Sequence, residues 1–271
     1  MTLARCAKLL KACADLDGDI TVTSLAAAVS LPKSTVSRLL KATERHGFIE
    51  AIRTSQGYRP GPLALALSRM SVDRSGLVDR MDDMITQVVA EHGHTGYVSV
   101  LEGAEIMAMR LREGSQVLRV VTPVGTRYPA FATAVGRSLL ARLSDAAIQR
   151  LHPRGIRASS PNSPKTVAEL LQRVATARQA GYAQADNEAN LGVGTVAIAI
   201  RDPRADRMAS ACISFPLAAC ATSQRSKIIA SLVAEARRIG LAVGDPYWTD
   251  VDGHDPHLRS AADERPRRHV A

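Results

Sequence analysis

The sequence predicts an α+β protein of two domains: a small helical domain that ends in a hairpin, and a larger one built on an antiparallel sheet. Three observations carry this. Apolar residues recur at helical spacing through the first quarter of the chain, with one polar hairpin among them. From Tyr97 the period changes to two. Strands and helices after that point follow one another without the β-α-β alternation of a parallel sheet. The domain boundaries expected are residues 1–61, a linker helix over 62–76, a second domain over 77–245 and a disordered tail over 246–271.

The first helix runs from Leu3 to Leu16, with Leu9, Leu10 and Ala14 among its inward residues, and the Asp17-Gly18-Asp19 turn closes it. Thr23 is the expected N-cap of the second, since its hydroxyl can accept from the free N–H groups of Leu25 or Ala26; the apolar run Leu25 to Val29 follows. Ser30-Leu31 reads as a tight turn. Pro32 suits the first turn of a third helix, Lys33 to His46, in which Val36, Leu39 and Leu40 fall at i, i+3, i+4 and Gly47 is the stop. At about 100° per residue, Ser34, Arg38, Lys41 and Arg45 lie opposite Val36, with Thr35 and Ser37 on the flanks. Phe48 to Ile52 and Tyr58-Arg59 then flank a polar tip, Arg53 to Gly57, which makes a two-stranded wing.

An outer face of hydroxyls and cations fits a major groove: Arg donates bidentately to guanine, and Ser and Thr serve donor or acceptor edges. Because the helix N-terminus supplies most base contacts in a helix-turn-helix, Lys33, Ser34, Thr35 and Arg38 are the base-reading candidates. Ser37 flanks them, Lys41 and Arg45 suit the phosphate backbone, and Arg53 and Arg59 suit phosphates beside the wing. A basic helix face alone is as readily a solvated face. The order turn, second helix, hairpin makes this one a winged helix-turn-helix and double-stranded DNA its partner.

Pro62 opens a helix through Leu63, Leu65, Ala66, Leu67 and Met70 to about Ser71, more apolar than a free linker. Leu77 to His92 is helical, with Leu77, Met81, Ile85 and Val88 on one side. Tyr97–Leu101, Ile106–Leu111 and Val117–Val121 read as consecutive antiparallel strands. A helix from Thr133 to Arg142 follows. Thr166-x-x-Glu169 is a capping box for a helix that Gly181 ends. Val193–Ile200 and Met208–Phe215, joined at Asp202-Pro203-Arg204, form a hairpin, and Ile228–Ile239 a last helix. The tail from about Asp250 holds four Arg and, with Asp250, five acids without apolar periodicity, which predicts disorder.

Several of these segments carry a resemblance. Leu31-Pro32-Lys33-Ser34-Thr35-Val36-x-Arg38-Leu39-Leu40, Gly47-Phe48-Ile49 and Gly57-Tyr58-Arg59-x-Gly61-Pro62 resemble the DNA-binding domain of IclR-type bacterial transcriptional regulators. Leu118-Arg119-Val120, the run Val124 to Ala141, Arg178 to Tyr182 and Asp186-Asn187-Glu188 resemble that family's effector domain, so the likeness covers roughly residues 3–244. It implies a GAF-like sensor fold, a linker helix that packs on a partner subunit in a homodimer or tetramer, and a small carboxylate effector. By the same resemblance the effector is held from the helix start at Thr133, Ala134 and Val135, from the loop at Ala185-Asp186, and from Thr195, Cys212 and Ser214. A family acidic position falls on Ala185 and a family serine on Cys212, which disfavours a ligand as small as glyoxylate. Val124 to Phe131 and Gly136-Arg137 look most like the branch that governs aromatic-acid catabolism, which implies an effector such as protocatechuate or 4-hydroxybenzoate.

Composition agrees. Net charge is +9, and residues 1–60 hold nine Lys/Arg against five Asp/Glu, a weak preference for a polyanion. No apolar run approaches the roughly 20 residues of a membrane span, and no leader opens the chain, so a soluble, cytoplasmic protein is expected. Cys6, Cys13, Cys212 and Cys220 form no Cys-x-x-Cys pair, and neither metal nor cofactor is called for. The alternative is a small-molecule enzyme with a basic adaptor. Its motifs are poor: Ser30-x-x-Lys33 lacks its companion motifs, Gly192-x-Gly194-x-x-Ala197 precedes a strand rather than a helix, and His254-x-x-His257 lies in the tail.

Overall fold

In the computed structural model, residues 3–16, 20–52, 55, 57–70 and 76–249 are described. They fall into two compact units, Met1–Asp73 and Arg74–Ala271.

In the first unit, α1 (Leu3–Asp15), α2 (Val22–Val29) and α3 (Lys33–Arg45) pack around Leu9, Leu25, Val29, Val36, Leu39, Leu40 and Ile49, as the helical spacing requires. Leu10 is only half-buried, and Ala14, expected inside, is exposed. The N-cap of α2 is Thr21 rather than Thr23. Thr21 Oγ1 accepts from the Ser24 N–H (3.1 Å) while Ser24 Oγ accepts from the Thr21 N–H (3.0 Å). That reciprocal box needs a polar residue three places on, and Thr23 has Ala26 there. At the other end Ser30 takes a left-handed conformation (φ 55°), so the turn between α2 and α3 closes in two residues, and the Lys8 ammonium donates to the Val29 carbonyl (3.0 Å). Strands β1 (Ile49–Ala51) and β2 (Tyr58–Pro60) pair antiparallel as the wing, tied to the helices where the Tyr58 N–H meets the Ile20 carbonyl (2.8 Å). Arg53 and most of the wing tip lie outside the described residues. Gly61 lets the chain double back: a Cβ there would stand 2.4 Å from the Gly47 oxygen. α4 (Pro62–Met70) follows, with Leu65 and Leu67 59% and 46% exposed.

The second unit starts with α5 (Leu77–His92), whose Leu77, Met81, Ile85 and Val88 are all buried. β3 (Thr95–Glu102) and β4 (Glu105–Arg112) form a hairpin. The third expected strand, Val117–Val121, is an exposed loop, Val117 standing 97% exposed. The edge of β4 is already taken: Ala108 bonds Thr126 and Gly125, and β5 (Arg127–Pro129) pairs with Glu105–Met107. Next come α6 (Ala134–Leu140), α7 (Asp145–Leu151), α8 (Val167–Ala180), β6 (Ala183–Asp186), β7 (Val193–Asp202), β8 (Arg207–Pro216) and α9 (Thr222–Val243). Thr166 caps α8 by accepting from the Glu169 N–H, while the Glu169 carboxylate accepts from Lys165, one residue before the expected position.

All strand pairs are antiparallel, in the order β5-β4-β3-β8-β7-β6. Strand alternation sorts the core into two layers. Val98, Val196, Ile198, Ile200, Ala211, Ile213 and Phe215 face α5 and α9. Tyr97, Ala183, Ala185, Ala197, Ala199 and Cys212 face α6, α7 and α8. The tail expected from residue 246 does not start there. Residues Pro246–Thr249 form α10, whose Trp248 is 4% exposed and packs on Gly240, so apolar burial holds them to the domain. Residues 250–271 lie outside the described residues.

Candidate nucleic-acid interface and ligand pocket

The interface is the outward side of α3. With Val36, Leu39, Leu40 and Thr43 buried, Lys33, Ser34, Arg38, Lys41 and Arg45 are exposed, and Thr35 and Ser37 are half-buried at its edges. The inner face fixes the helix: the Thr43 hydroxyl bonds back to the Leu39 and Leu40 carbonyls, and the Glu44 carboxylate accepts from the Ala51 N–H of the wing (3.3 Å). Arg59, expected to meet phosphate, is ion-paired to Glu50 across the β1–β2 ladder at 2.5 Å. That carboxylate competes with any phosphate for the guanidinium.

The pocket lies in the second unit, between the sheet and the start of α6, and is partly open to solvent. Sheet residues Tyr97, Ser99, Thr195, Cys212 and Ser214 form one wall, and Thr133, Ala134 and Val135 another. Thr133 Oγ1 accepts from the Gly136 N–H (2.9 Å), while helix geometry leaves the N–H groups of Ala134 and Val135 without an intrahelical acceptor. Thr195 and Ser214 share a hydroxyl hydrogen bond (3.0 Å), and the Ser138 and Ser210 hydroxyls another (2.8 Å) that seats α6 on the sheet. Burial pushes the Cys212 thiol and the Tyr97 phenol each up to about 12, so both stay neutral donors. The Tyr97 hydroxyl donates to the Val120 carbonyl (2.7 Å) and accepts from the Thr122 N–H (2.8 Å).

Beside this wall lies a buried ion pair. Arg137, 2% exposed, donates to both Glu188 oxygens (2.6 and 2.9 Å) and to the carbonyls of Gln184 and Phe131. Arg173 approaches Glu188 from outside at 3.0 Å. Glu188 lines the pocket with its charge already answered by two guanidinium groups.

Six of the seven expected effector positions therefore line one cavity: Thr133, Ala134, Val135, Thr195, Cys212 and Ser214. Asp186 does not. Ala183 and Ala185 of β6 face the pocket layer, so Asp186 points to the opposite face, where its carboxylate pairs with Arg225 of α9 (2.7 Å). Sequence reasoning missed Tyr97, Ser99 and Glu188 as lining. Period-two alternation on β3 places Tyr97 and Ser99 together, and Arg137 inside an apolar helix start required a buried acid. Among the described residues the lining holds no histidine, and no group of His, Cys, Asp and Glu could hold a metal. No described helix is long and apolar enough to cross a membrane.

Comparison with known proteins places this geometry. Residues 69–241 match the family described as bacterial transcriptional regulator IclR C-terminal, and residues 2–52 match the IclR helix-turn-helix domain. The transcriptional repressor IclR of Escherichia coli (strain K12) is 26% identical over 246 residues, 90% of each chain. A crystal structure of an IclR transcriptional regulator from Alicyclobacillus acidocaldarius superposes with a TM-score of 0.74 at 21% identity, covering 88% of this chain and 97% of that one. An IclR homolog from Microbacterium hydrocarbonoxydans, complexed with 4-hydroxybenzoate, gives a TM-score of 0.66 at 18% identity, covering 87% and 99%.

Proposed function

Because the chain belongs to the IclR family of bacterial transcriptional regulators, DNA-binding proteins with a C-terminal effector domain rather than enzymes, we propose that its pocket takes a small aromatic carboxylate and that this ligand controls operator binding. The observation that carries the reading is the pocket wall at the start of α6. There the backbone N–H groups of Ala134 and Val135 lack an intrahelical acceptor, and the hydroxyls of Thr195 and Ser214 line the sheet wall of the same cavity, whose other sides are largely apolar. An anion meets donors at that wall, and a ring meets Tyr97, Ile106, Ala108 and Val193. A protein of the same fold carries 4-hydroxybenzoate, which makes that acid the first to titrate.

On the DNA side, Lys33, Ser34, Thr35 and Arg38 read bases with Ser37 flanking them, and Lys41 and Arg45 hold phosphates. The protein acts in the cytoplasm as a homodimer or a dimer of dimers, with the exposed leucines of α4 against a second copy and two recognition helices in successive major grooves of an inverted repeat. Ligand shifts the population of dimers with groove-matched spacing. Isothermal titration of the full chain tests the ligand class. Heat with hydroxybenzoates supports it; no heat with any of them, beside a clear isotherm for an aliphatic acid, removes it.

A further inference from the structure

Between β4 and β5 the chain crosses residues 113–126 without helix or strand, and Val120 and Thr122 of that stretch form part of the pocket wall. Loops of about 12–15 residues with no regular structure are uncommon in compact domains and usually carry function. Backbone hydrogen bonds hold the two ends of this one: the Gln116 N–H meets the Gly93 carbonyl (3.1 Å), and the Gly125 N–H the Ala108 carbonyl (2.8 Å). Between those points, among the described residues, the hydrogen bonds that reach the rest of the domain end on one atom, the Tyr97 hydroxyl oxygen. It donates to the Val120 carbonyl (2.7 Å) and accepts from the Thr122 N–H (2.8 Å). The Arg119 guanidinium turns back on the segment itself, to the Gly114 carbonyl and the Glu113 carboxylate.

Tyr97 stands on β3 between β4 and β8, opposite Leu111 and Cys212, and its buried ring lines the same pocket. One side chain therefore joins the middle of the sheet, the pocket and a stretch of pocket wall that has no strand ladder of its own. We infer that Tyr97 is a positioning residue of the effector site: its hydroxyl latches residues 120–122 in place as a pocket wall. A ligand that packs against Val120 and Thr122 binds the latched arrangement, and by linkage it holds the latch shut as strongly as the latch favours the ligand. That second half rests on the reading of the cavity as the effector site; the latch itself needs no ligand.

The test is Tyr97→Phe, which removes the hydroxyl and keeps the ring. In the free full chain, amide hydrogen exchange at Thr122 should speed by about tenfold, as expected for the loss of one or two ordinary hydrogen bonds, while amides of β3 and β8 keep their rates. Added 4-hydroxybenzoate should slow exchange at Thr122 in the parent protein, and its calorimetric Kd should rise about tenfold in the variant. Unchanged exchange at Thr122 overturns the inference. So does equal acceleration across β3 and β8, which would make Tyr97 a support of the sheet alone, or a ligand that both proteins bind equally tightly. No heat with either protein sinks the aromatic-acid reading instead, and the latch then stands or falls on the exchange of the free chain.

Discussion

Replacing Arg137 by Met should be among the most damaging single changes in the second unit. The guanidinium is 2% exposed and makes four hydrogen bonds, two to Glu188 and one each to the Gln184 and Phe131 carbonyls. Its loss leaves the buried Glu188 carboxylate with Arg173 alone, at 3.0 Å from the solvent side, and strips two carbonyls of a donor. Breaking a buried pair from one side costs about 3–5 kcal/mol, a large part of the 5–15 kcal/mol that holds a typical domain. Trp248 is the chain's single tryptophan and lies in this unit's core, so its fluorescence reports this unit's unfolding. The urea midpoint should fall by about 1 M or more. Arg137→Met/Glu188→Met, which removes both charges, should be less damaging than Arg137→Met alone. A single-variant loss under about 1 kcal/mol, or a double variant worse than the single, would refute the argument that an orphaned carboxylate sets the cost.

The recognition surface yields two further expectations. Arg38→Ala should cost about 1–3 kcal/mol on the preferred operator and relax selection at one base step, as read by anisotropy titrations across single-base operator variants. Glu50→Gln frees Arg59 for phosphate, so affinity should rise alike for all sequences and the salt dependence steepen by about one unit; no change in slope would mean Arg59 stays off the backbone. Leu65→Ser/Leu67→Ser should shift sedimentation toward monomer at micromolar concentration if α4 packs on a second copy. The folded Cys212 thiol keeps its proton to about pH 12, while the unfolded one loses it near 9. The unfolded state therefore binds fewer protons across that window and stability falls as pH rises, by about 2 kcal/mol near pH 10.5 from this thiol. Cys212→Ala should flatten that part of the profile, measured by urea unfolding at stepped pH.

Where the sequence was legible, strong local chemistry spoke for itself. Pro32 and Gly47 bracket α3, Thr166 and Gly181 bracket α8, and the long alternating runs of β7 and β8 meet at an obvious turn. Short elements escaped: β5 and β6 have three and four residues, and α7 seven, too few for a period to register. Val117–Val121 alternates like a strand, yet a strand also needs a free edge, and Thr126 with β5 already occupies that of β4. The Asp186 error has the same root. Which side of a strand faces a pocket depends on parity against its neighbours, and parity is set by the pairing of Ala185 with Thr195, a contact between distant segments. Glu188, two residues on and past the strand, turns back to Arg137 because a buried guanidinium must be answered.

The most direct test is capture of sheared genomic DNA on the purified full chain at near-physiological salt, with Arg38→Ala run in parallel and each sample sequenced. A sequence-reading regulator predicts sharp peaks sharing an inverted repeat, which the variant blurs or loses. A flat profile that disappears with modest added salt, the same for both proteins, would mean phosphate contacts alone and would contradict the assignment of the Lys33 to Arg38 surface to base recognition.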